Sequence, residues 1–293
     1  MATLTCLDLG RAAYAPALAL QRRLAERVRA ADGRDAFLVL LEHDPPVITL
    51  GRRGRDADVL ATREQLDAAG VEVHHTTRGG EVTWHGPGQL VGYAILHLRR
   101  HGLTLRGYVE RLEDALIRAL GHLGVAGRRA EGLAGVWVGM PLDDAKAKPL
   151  CQSSSPSSSS SSSILMREAT QSEDEHEHEH EHDLTGRAAR SCRQQPHPRW
   201  EGERKIAAVG VAVERWVTYH GFALNVGADL SGFASIVPCG GAGAHATSLS
   251  QCLGRPVAVA EAAPEVAAGF AEAFGFDNVQ HPAPEALPTK ERQ

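Results

Sequence analysis

The chain has 293 residues, of which 43% are hydrophobic, and its formal net charge is −5. That apolar content is enough for a folded core, and the whole negative excess lies within residues 141–203, where 12 acidic residues stand against 7 basic ones. The rest of the chain is neutral, which excludes a protein-wide basic field for nucleic acid, and no apolar run approaches the roughly 18 residues of a membrane span.

Hydrophobic spacing and turn residues predict a mixture of helices and strands from Tyr14 onward. Apolar residues at four-residue spacing indicate an amphipathic helix over 14–31. Two apolar runs, 37–41 and 47–50, are separated by a pair of prolines and indicate strands around a rigid turn. Thr62 and the glutamine three residues later fit a capping box that opens a short helix ending at Gly70.

The remaining elements complete a mixed architecture. Strands are expected on both sides of a glycine-rich stretch, and two further long helices follow from the spacing of leucine, valine and phenylalanine. We therefore predict an α/β (α+β) domain with a mixed β-sheet flanked by helices. The strands are expected over 71–76, 89–97, 136–138, 206–213 and 216–226, and the helices over 105–120 and 259–274.

Residues 141–203 differ in composition from the rest. Ten serines fall within 153–163, and four histidines then alternate with glutamates within 176–182. Such a segment cannot bury enough apolar surface to offset the ordering of its backbone, so we predict a disordered insert. Imidazole binds zinc, copper and nickel. A specific site, however, needs fixed geometry and supporting hydrogen bonds, and we expect no metal here.

The insert divides the predicted domain in the sequence. Without it, 230 residues remain, which is an ordinary size for one domain. The single catalytic domain is therefore expected to comprise residues 1–140 and 204–280, followed by a flexible tail over 281–293.

The five cysteines are odd in number, widely spaced and without a C-x-x-C pair. This pattern argues against a disulfide framework or a structural zinc site and favours a reducing compartment. We expect a cytoplasmic protein, or a mitochondrial or plastid one if the source is eukaryotic.

Residues 78–93 read RGGEVTWHGPGQLVGY, with five glycines among residues typical of strands. Glycine permits positive φ and the close approach of a ligand or another backbone. A bend of this kind, with Arg78 before it and Thr83, Trp84 and His85 after it, can wrap a substrate with backbone N–H groups. A tight turn with a satisfied histidine is the alternative, and it is the commoner one for an isolated Arg-Gly-Gly.

Further blocks accompany this stretch in a fixed order: HDPPVITLGRRG at 43–54, GVWV at 135–138, KIAAVG at 205–210, WVTYHGFALNV at 216–226, VPCG at 237–240 and TSL at 247–249. Together they closely resemble the motifs of the octanoyl-[acyl carrier protein]:protein octanoyltransferases of lipoate biosynthesis. The resemblance spans Leu9 to about Leu253, apart from the insert, which the family lacks. It implies the fold shared by biotin and lipoate ligases.

Cys239 lies between a proline and two glycines, where close approach of a substrate is feasible. Composition alone leaves its role open, because buried cysteines are commonly small hydrophobic residues and only a thiolate is a useful nucleophile. The resemblance implies that Cys239 carries the acyl group as a thioester and that Lys205 pairs with it. An ammonium group stabilises a thiolate, and a desolvated lysine can exchange protons during turnover.

The resemblance also implies which segments contact the substrate. Small residues there suit an apolar tunnel for a straight eight-carbon chain, although Gly241 and Ala246 stand where the family more often has larger aliphatic residues. For His85 and His220, loop anchoring and proton transfer both remain open. The expected substrate-binding residues are Arg78, Gly79, Gly80, Glu81, Val82, Thr83, Trp84, His85, Ala208, Val209, Gly210, Gly221, Phe222 and Ala223.

The implied activity is transfer of an octanoyl group from octanoyl-acyl carrier protein to a lysine amine of lipoyl domains, in 2-oxoacid dehydrogenase complexes and glycine cleavage H protein. Thioester exchange is close to isoenergetic and amide formation from a thioester runs downhill, so we expect no cofactor, ATP or metal. Two alternatives stay open. One is an ATP-dependent lipoate or biotin ligase on the same fold, and the other is a non-catalytic protein whose insert binds a metal or a partner.

Overall fold

The computed structural model describes residues 2–31, 34–139, 203–227, 229–237 and 245–282. The predicted disordered insert, apart from Glu203, lies outside the described residues, as does the predicted tail apart from its first two residues. Cys239 also lies outside them.

Five α-helices occur in the described ranges: α1 Tyr14–Ala30, α2 Arg63–Ala68, α3 Leu105–His122, α4 Leu249–Leu253 and α5 Val259–Phe274. The predicted capping box of α2 is confirmed, since the Thr62 hydroxyl accepts the Gln65 N–H at 3.3 Å and the Gln65 side chain accepts the Thr62 N–H at 2.8 Å. Thr104 caps α3 by accepting the Gly107 N–H at 3.1 Å. Across the described residues, none of the helices is long and apolar enough to cross a bilayer.

Twelve strands are found in the same ranges: β1 Thr3–Ala12, β2 Ala36–His43, β3 Val47–Leu50, β4 Glu72–His75, β5 Val82–His85, β6 Gln89–Ile95, β7 Arg128–Ala130, β8 Leu133–Val138, β9 Arg204–Glu214, β10 Val217–Asn225, β11 His245–Ala246 and β12 Asn278–Gln280. The main sheet has the order β12-β1-β2-β6-β10-β9-β8-β7, with β11 also paired to β9. A second sheet has the order β4-β3-β5. The main sheet is mixed, because β1 is parallel to β2 and β12 whereas β2, β6, β10, β9 and β8 pair antiparallel in turn.

Helices cover both faces of the main sheet. Alternate residues of β2 show the division: Leu38 packs in the cluster that holds α3 and α5, whereas Val39 packs in the cluster that holds α1. Both side chains are fully buried, as the two-residue period of a strand between two helical layers requires. The predicted mixed sheet flanked by helices is confirmed.

The sequence prediction omitted β1, which pairs with β2 along most of its length. Its pattern is interrupted, since Gly10 has φ +58° and the register shifts between Asp8 and Arg11. A bulge of this kind breaks the alternation on which strand prediction depends. The sequence prediction also placed a glycine-rich loop and no strand between the strands over 71–76 and 89–97, and β5 in that interval is a strand paired antiparallel with β3.

The two-residue turn between β9 and β10 consists of Arg215 and Trp216, with φ values of +48° and +67°. Glycine and asparagine are the usual occupants of such a turn, because other residues are strained in the left-handed region. Trp216 is 43% exposed, and the Arg99 guanidinium stacks on its ring at 3.6 Å from the centroid.

Replacing Arg215 with asparagine is therefore expected to raise the free energy of unfolding by about 0.5–1 kcal/mol, because asparagine tolerates positive φ. Urea unfolding followed by circular dichroism measures this change. Arg215→Ala is the matched control, since it removes the same side chain but retains the strain. An equal gain in both variants would show that the arginine side chain, and not the turn conformation, is the cause.

Candidate active site

A cavity of about 900 Å³ lies between the two sheets and extends to α3 and the β7–β8 hairpin. Its volume falls in the range of small-molecule sites, about 300–1,000 Å³. Lys205 lines it, and so does every expected substrate-binding residue except Trp84. The lining members of that set are Arg78, Gly79, Gly80, Glu81, Val82, Thr83, His85, Ala208, Val209, Gly210, Gly221, Phe222 and Ala223.

Trp84 lies outside the cavity lining. Its side chain is 7% exposed and packs with Ile48, Leu50 and Val82 beneath the small sheet. The Phe233 ring meets it edge-on at a centroid distance of 5.7 Å. This packing ties β5 to the segment that precedes residue 238.

Backbone hydrogen bonds hold the Arg78–Glu81 loop from two sides. On one side Gly51 N–H donates to Glu81 O at 2.7 Å, and Arg53 N–H donates to Gly80 O at 3.2 Å. On the other side Gly79 N–H donates to Val211 O of β9 at 2.8 Å. A Cβ on Gly51 would lie 2.5 Å from Gly80 O, so only glycine allows this close approach.

The Arg78 side chain is buried and its guanidinium binds the small sheet. Nε and Nη2 donate to the Thr49 hydroxyl at 3.0 and 2.9 Å, Nη2 also donates to the Thr49 carbonyl, and Nη1 donates to Gly79 O at 3.0 Å. These bonds fix the loop conformation. Arg78 also places a positive charge beside the cavity, which contributes to the low pKa of His220.

A chain of hydrogen bonds runs under the cavity from β5 to β9. His85 Nδ1–H donates to Gln89 Oε1 at 2.6 Å, and Gln89 Nε2 donates to Asn225 Oδ1 at 2.9 Å. Asn225 Nδ2 then donates to Thr247 O at 3.0 Å, and Thr247 N–H donates to Lys205 O at 3.0 Å. The Gln89 amide can only accept at Oε1, so His85 carries its proton on Nδ1 and offers a lone pair at Nε2.

Three histidines here are held neutral: His85 and His220 line the cavity, and His43 lies beside His85. Burial lowers the pKa of His85 to about 3, with the neighbouring His43 adding to the effect. Burial also lowers the pKa of His43 to about 4, and burial together with the Arg78 charge lowers the pKa of His220 to about 3. His43 Nδ1–H donates to Ala12 O at 3.0 Å, so its Nε2 accepts from the Tyr93 hydroxyl at 2.7 Å.

These pKa values predict a loss of stability on acidification. A histidine titrates near pH 6.5 in the unfolded chain, whereas His220 in the folded protein resists protonation down to about pH 3. Its contribution is therefore fully present above about pH 6.5 and is lost as the pH falls toward 3. Between pH 7 and pH 5 the loss is about 2 kcal/mol for this one group.

His220→Asn should make the fall in unfolding free energy between pH 7 and pH 5 shallower by that amount, measured by urea titration at each pH. Asparagine suits the φ of +60° at this position. His281→Gln, at an exposed position, is the control and should leave the slope unchanged. A wild-type slope in His220→Asn would contradict the assignment of a neutral buried imidazole.

Lys205 lies on β9, between Trp137 of β8 and Ala246 of β11. Its Nζ is 4.9 Å from the centroid of the Trp137 ring on β8, and it pairs with Ala246 of β11 in the parallel register. Ala246 and Ile236 both line the cavity. They lie on either side of residues 238–244, which include Cys239 and are outside the described residues.

Several residues of the site were not expected from the sequence. Gln89 and Asn225 belong to the recognised blocks, but only the fold shows that their amides meet. Tyr14 of α1 lines the cavity, and its buried hydroxyl has no hydrogen-bond partner among the described residues. The sequence of α1 gave no sign of this, because a single tyrosine on an amphipathic helix looks like a core residue.

The described part of the chain contains no group of three or more His, Cys, Asp or Glu side chains arranged to hold a metal ion. The Glu-His repeat, where the sequence raised that question, lies outside it.

A family model described as the lipoyl protein ligase A/B catalytic domain matches residues 13–271. An octanoyltransferase of Chloroflexus aurantiacus is 38% identical over 279 aligned residues, and the alignment covers 94% of this chain and 96% of that protein. An octanoyltransferase of Solibacter usitatus is 40% identical over 236 residues, covering 80% of this chain and 78% of that protein.

Among solved structures, the similarity extends to a chain from an archaeal lipoylation system, a bi-partite lipoate protein ligase and its E2 lipoyl domain from Thermoplasma acidophilum. The TM-score is 0.59 at 13% identity, with 96% of this chain and 86% of that chain covered. At that identity the likeness shows the fold alone. The family model and the closely similar sequences go further: the chain belongs to the lipoyl protein ligase A/B catalytic domain family and is an acyltransferase.

Proposed function

We propose that the protein transfers an octanoyl group from octanoyl-acyl carrier protein to a lysine amine of lipoyl domains, through a thioester on Cys239. The acceptors are lipoyl domains of 2-oxoacid dehydrogenase complexes and glycine cleavage H protein. The observation that carries the proposal is the cavity: Lys205 and the small residues of β9 and β10 line it together. The residues that flank the Cys239 segment line it as well.

In the first half of the reaction the Cys239 thiolate attacks the carbonyl carbon of the octanoyl thioester. A new carbon–sulfur bond forms, the bond to the carrier sulfur breaks, and the carrier leaves as a thiolate that takes a proton from the Lys205 ammonium, which becomes a neutral amine. Lys205 as an ammonium stabilises the attacking thiolate. The oxyanion needs donors. Gly79 N–H is already bonded to Val211 O, which leaves the N–H of Gly80 or the backbone at Cys239-Gly240 as candidates.

In the second half the lysine amine of the acceptor attacks octanoyl-Cys239. An amide bond forms, the carbon–sulfur bond breaks, and the proton lost by the amine passes to Lys205 or to the departing Cys239 sulfur. An amide is more stable than a thioester, so the step runs downhill without ATP. The same residues therefore serve both halves of the reaction.

The acyl chain is accommodated where the lining is small and uncharged. Gly210, Gly221, Ala208 and Ala223 contribute little side-chain volume, and Phe222 supplies an apolar wall. The histidines at this end are neutral at physiological pH, as their lowered pKa values require. An alkyl chain therefore meets no unpaired imidazolium charge, which would be costly to desolvate.

Incubation of the purified protein with octanoyl-acyl carrier protein and a lipoyl domain, without ATP, tests this function. Mass spectrometry should show one octanoyl group added to the lipoyl domain. A second reaction contains free octanoate and ATP in place of the acylated carrier, and it should give no product. The reverse outcome would indicate an ATP-dependent ligase, and no product in either reaction would indicate a non-catalytic protein.

The octanoyltransferases that this chain resembles come from bacteria, which supports a cytoplasmic site for this reaction.

A further inference from the structure

Glu113 is a carboxylate of the cavity lining that the proposed chemistry does not use. It lies on α3, is 5% exposed, and lines the cavity. Burial raises its pKa, while the Gly135 N–H and the Arg129 charge act in the opposite direction. Removing a carboxylate from water costs several kcal/mol. The hydrogen bonds that offset this cost therefore indicate the role of Glu113.

The first partner is the backbone of β8. Gly135 N–H donates to Glu113 Oε1 at 2.9 Å, and this bond is buried. The second partner is Arg129, whose Nε donates to Glu113 Oε2 at 3.0 Å. Arg129 Nη2 also lies 2.6 Å from the neighbouring Asp114 carboxylate. Glu113 therefore connects α3 to one particular peptide group of β8 and is itself fixed by the arginine.

That peptide group stands directly against the lysine of the site. Gly135 has φ +123°, and a Cβ there would lie 2.5 Å from Ala207 O and 3.1 Å from Lys205 Cε. At this point β8 lies so close to β9 that the methylene chain of Lys205 passes directly over Gly135, where there is no room for a side chain. Two residues later, the Trp137 ring holds Lys205 Nζ at 4.9 Å. The β8–β9 register shifts between these two contacts, at Val136 and Trp137.

We propose that Glu113 is a positioning residue for Lys205: its hydrogen bond to Gly135 fixes β8 in the irregular conformation that places the Lys205 ammonium. This inference rests on the proposed role of Lys205 in acyl transfer. A shift of the ammonium by about 1 Å is enough to lower the rate of a positioned reaction by up to about 100-fold.

Three variants separate this hydrogen bond from the charge of Glu113. Glu113→Asp retains the charge but withdraws the carboxylate from Gly135 by one methylene group. Glu113→Gln removes the charge and retains a carbonyl oxygen that can accept the Gly135 N–H. Asp114→Asn is the matched control, because it removes a carboxylate from the same Arg129 without touching Gly135. Thermal unfolding establishes that each variant is folded.

We expect Glu113→Asp to lower kcat about 10- to 100-fold with little change in KM, whereas Glu113→Gln retains most of kcat and Asp114→Asn behaves as wild type. A second measurement does not require acyl transfer. Lys205 is the one lysine of the described residues, so its rate of acetylation by acetic anhydride can be followed by peptide mass spectrometry across pH. The midpoint of that pH profile should differ from the wild-type value in Glu113→Asp and equal it in Asp114→Asn.

A folded Glu113→Asp with the wild-type labelling profile would overturn the positioning role, whatever its transfer rate. Equal losses in Glu113→Asp and Glu113→Gln would overturn the hydrogen bond as the cause. If the octanoyl-transfer function itself is wrong, neither the wild-type protein nor any variant transfers an octanoyl group from the acyl carrier protein, yet the labelling profile still reports whether Glu113 positions Lys205.

Discussion

Replacing Cys239 with alanine is expected to abolish both the covalent octanoyl adduct and octanoyl transfer. The sulfur is the atom that exchanges the acyl group, and alanine offers no nucleophile in its place. Intact-mass spectrometry after incubation with octanoyl-acyl carrier protein should show one added octanoyl group on the wild-type protein and none on Cys239→Ala or Cys239→Ser. Transfer to a lipoyl domain should fall by at least about 1,000-fold, as is typical when a nucleophile is removed.

Cys252→Ala is the matched control for this experiment. Cys252 is a free and exposed cysteine on α4, so it would acquire any adduct that arises from nonspecific thiol exchange. The control should retain one octanoyl group and the full transfer rate. An adduct that persists in Cys239→Ala and disappears in Cys252→Ala would show that the nucleophile had been assigned to the wrong residue.

Replacing Lys205 with alanine is expected to slow transfer by about 100-fold or more, since proton exchange and thiolate stabilisation are both lost. Alkylation of Cys239 by iodoacetamide at neutral pH should slow as well, because the thiolate loses its neighbouring cation. Lys205→Arg should restore part of the alkylation rate but little of the transfer rate. Arginine keeps the charge and cannot give up its proton.

Arg204→Ala supplies the control, because Arg204 carries the same charge on the adjacent residue and is exposed. It should leave alkylation and transfer unchanged. Identical alkylation rates in wild type and Lys205→Ala would contradict the pairing of Lys205 with Cys239, even if transfer were impaired.

The elements that the sequence predicted well are those with an uninterrupted hydrophobic period. The helices over 14–31, 105–120 and 259–274 correspond to α1, α3 and α5 within a few residues. The paired apolar runs before and after Pro45-Pro46 correspond to β2 and β3. Short elements such as β7, β11 and β12 carry too few residues to show a period, and their existence depends on neighbours that are distant in sequence.

The site was predicted less completely than the fold. The sequence motifs contain residues that line one cavity, but they do not distinguish the residues that line it from those that pack behind it. Trp84 illustrates the difficulty, because its place in a glycine-rich motif suggests ligand contact whereas its ring packs beneath the small sheet. Glu113 illustrates the converse. It stands at an unremarkable position of an amphipathic helix, and its bond to Gly135 joins residues 22 apart in the sequence.

The junction of the long insert also has a consequence for protein engineering. The chain leaves the sheet after Val138 and returns at Arg204, and these two residues are paired on adjacent antiparallel strands. A Cβ on Gly139 would lie 3.4 Å from Glu203 Cα, and Arg128 Nε forms an ion pair with Glu203 Oε1 at 2.9 Å. The two points where the chain leaves and re-enters the sheet are therefore held together, and for a flexible loop each doubling of length costs only about 0.6 kcal/mol. This position is a natural site for grafting a reporter domain or a ligand-controlled module into the acyltransferase.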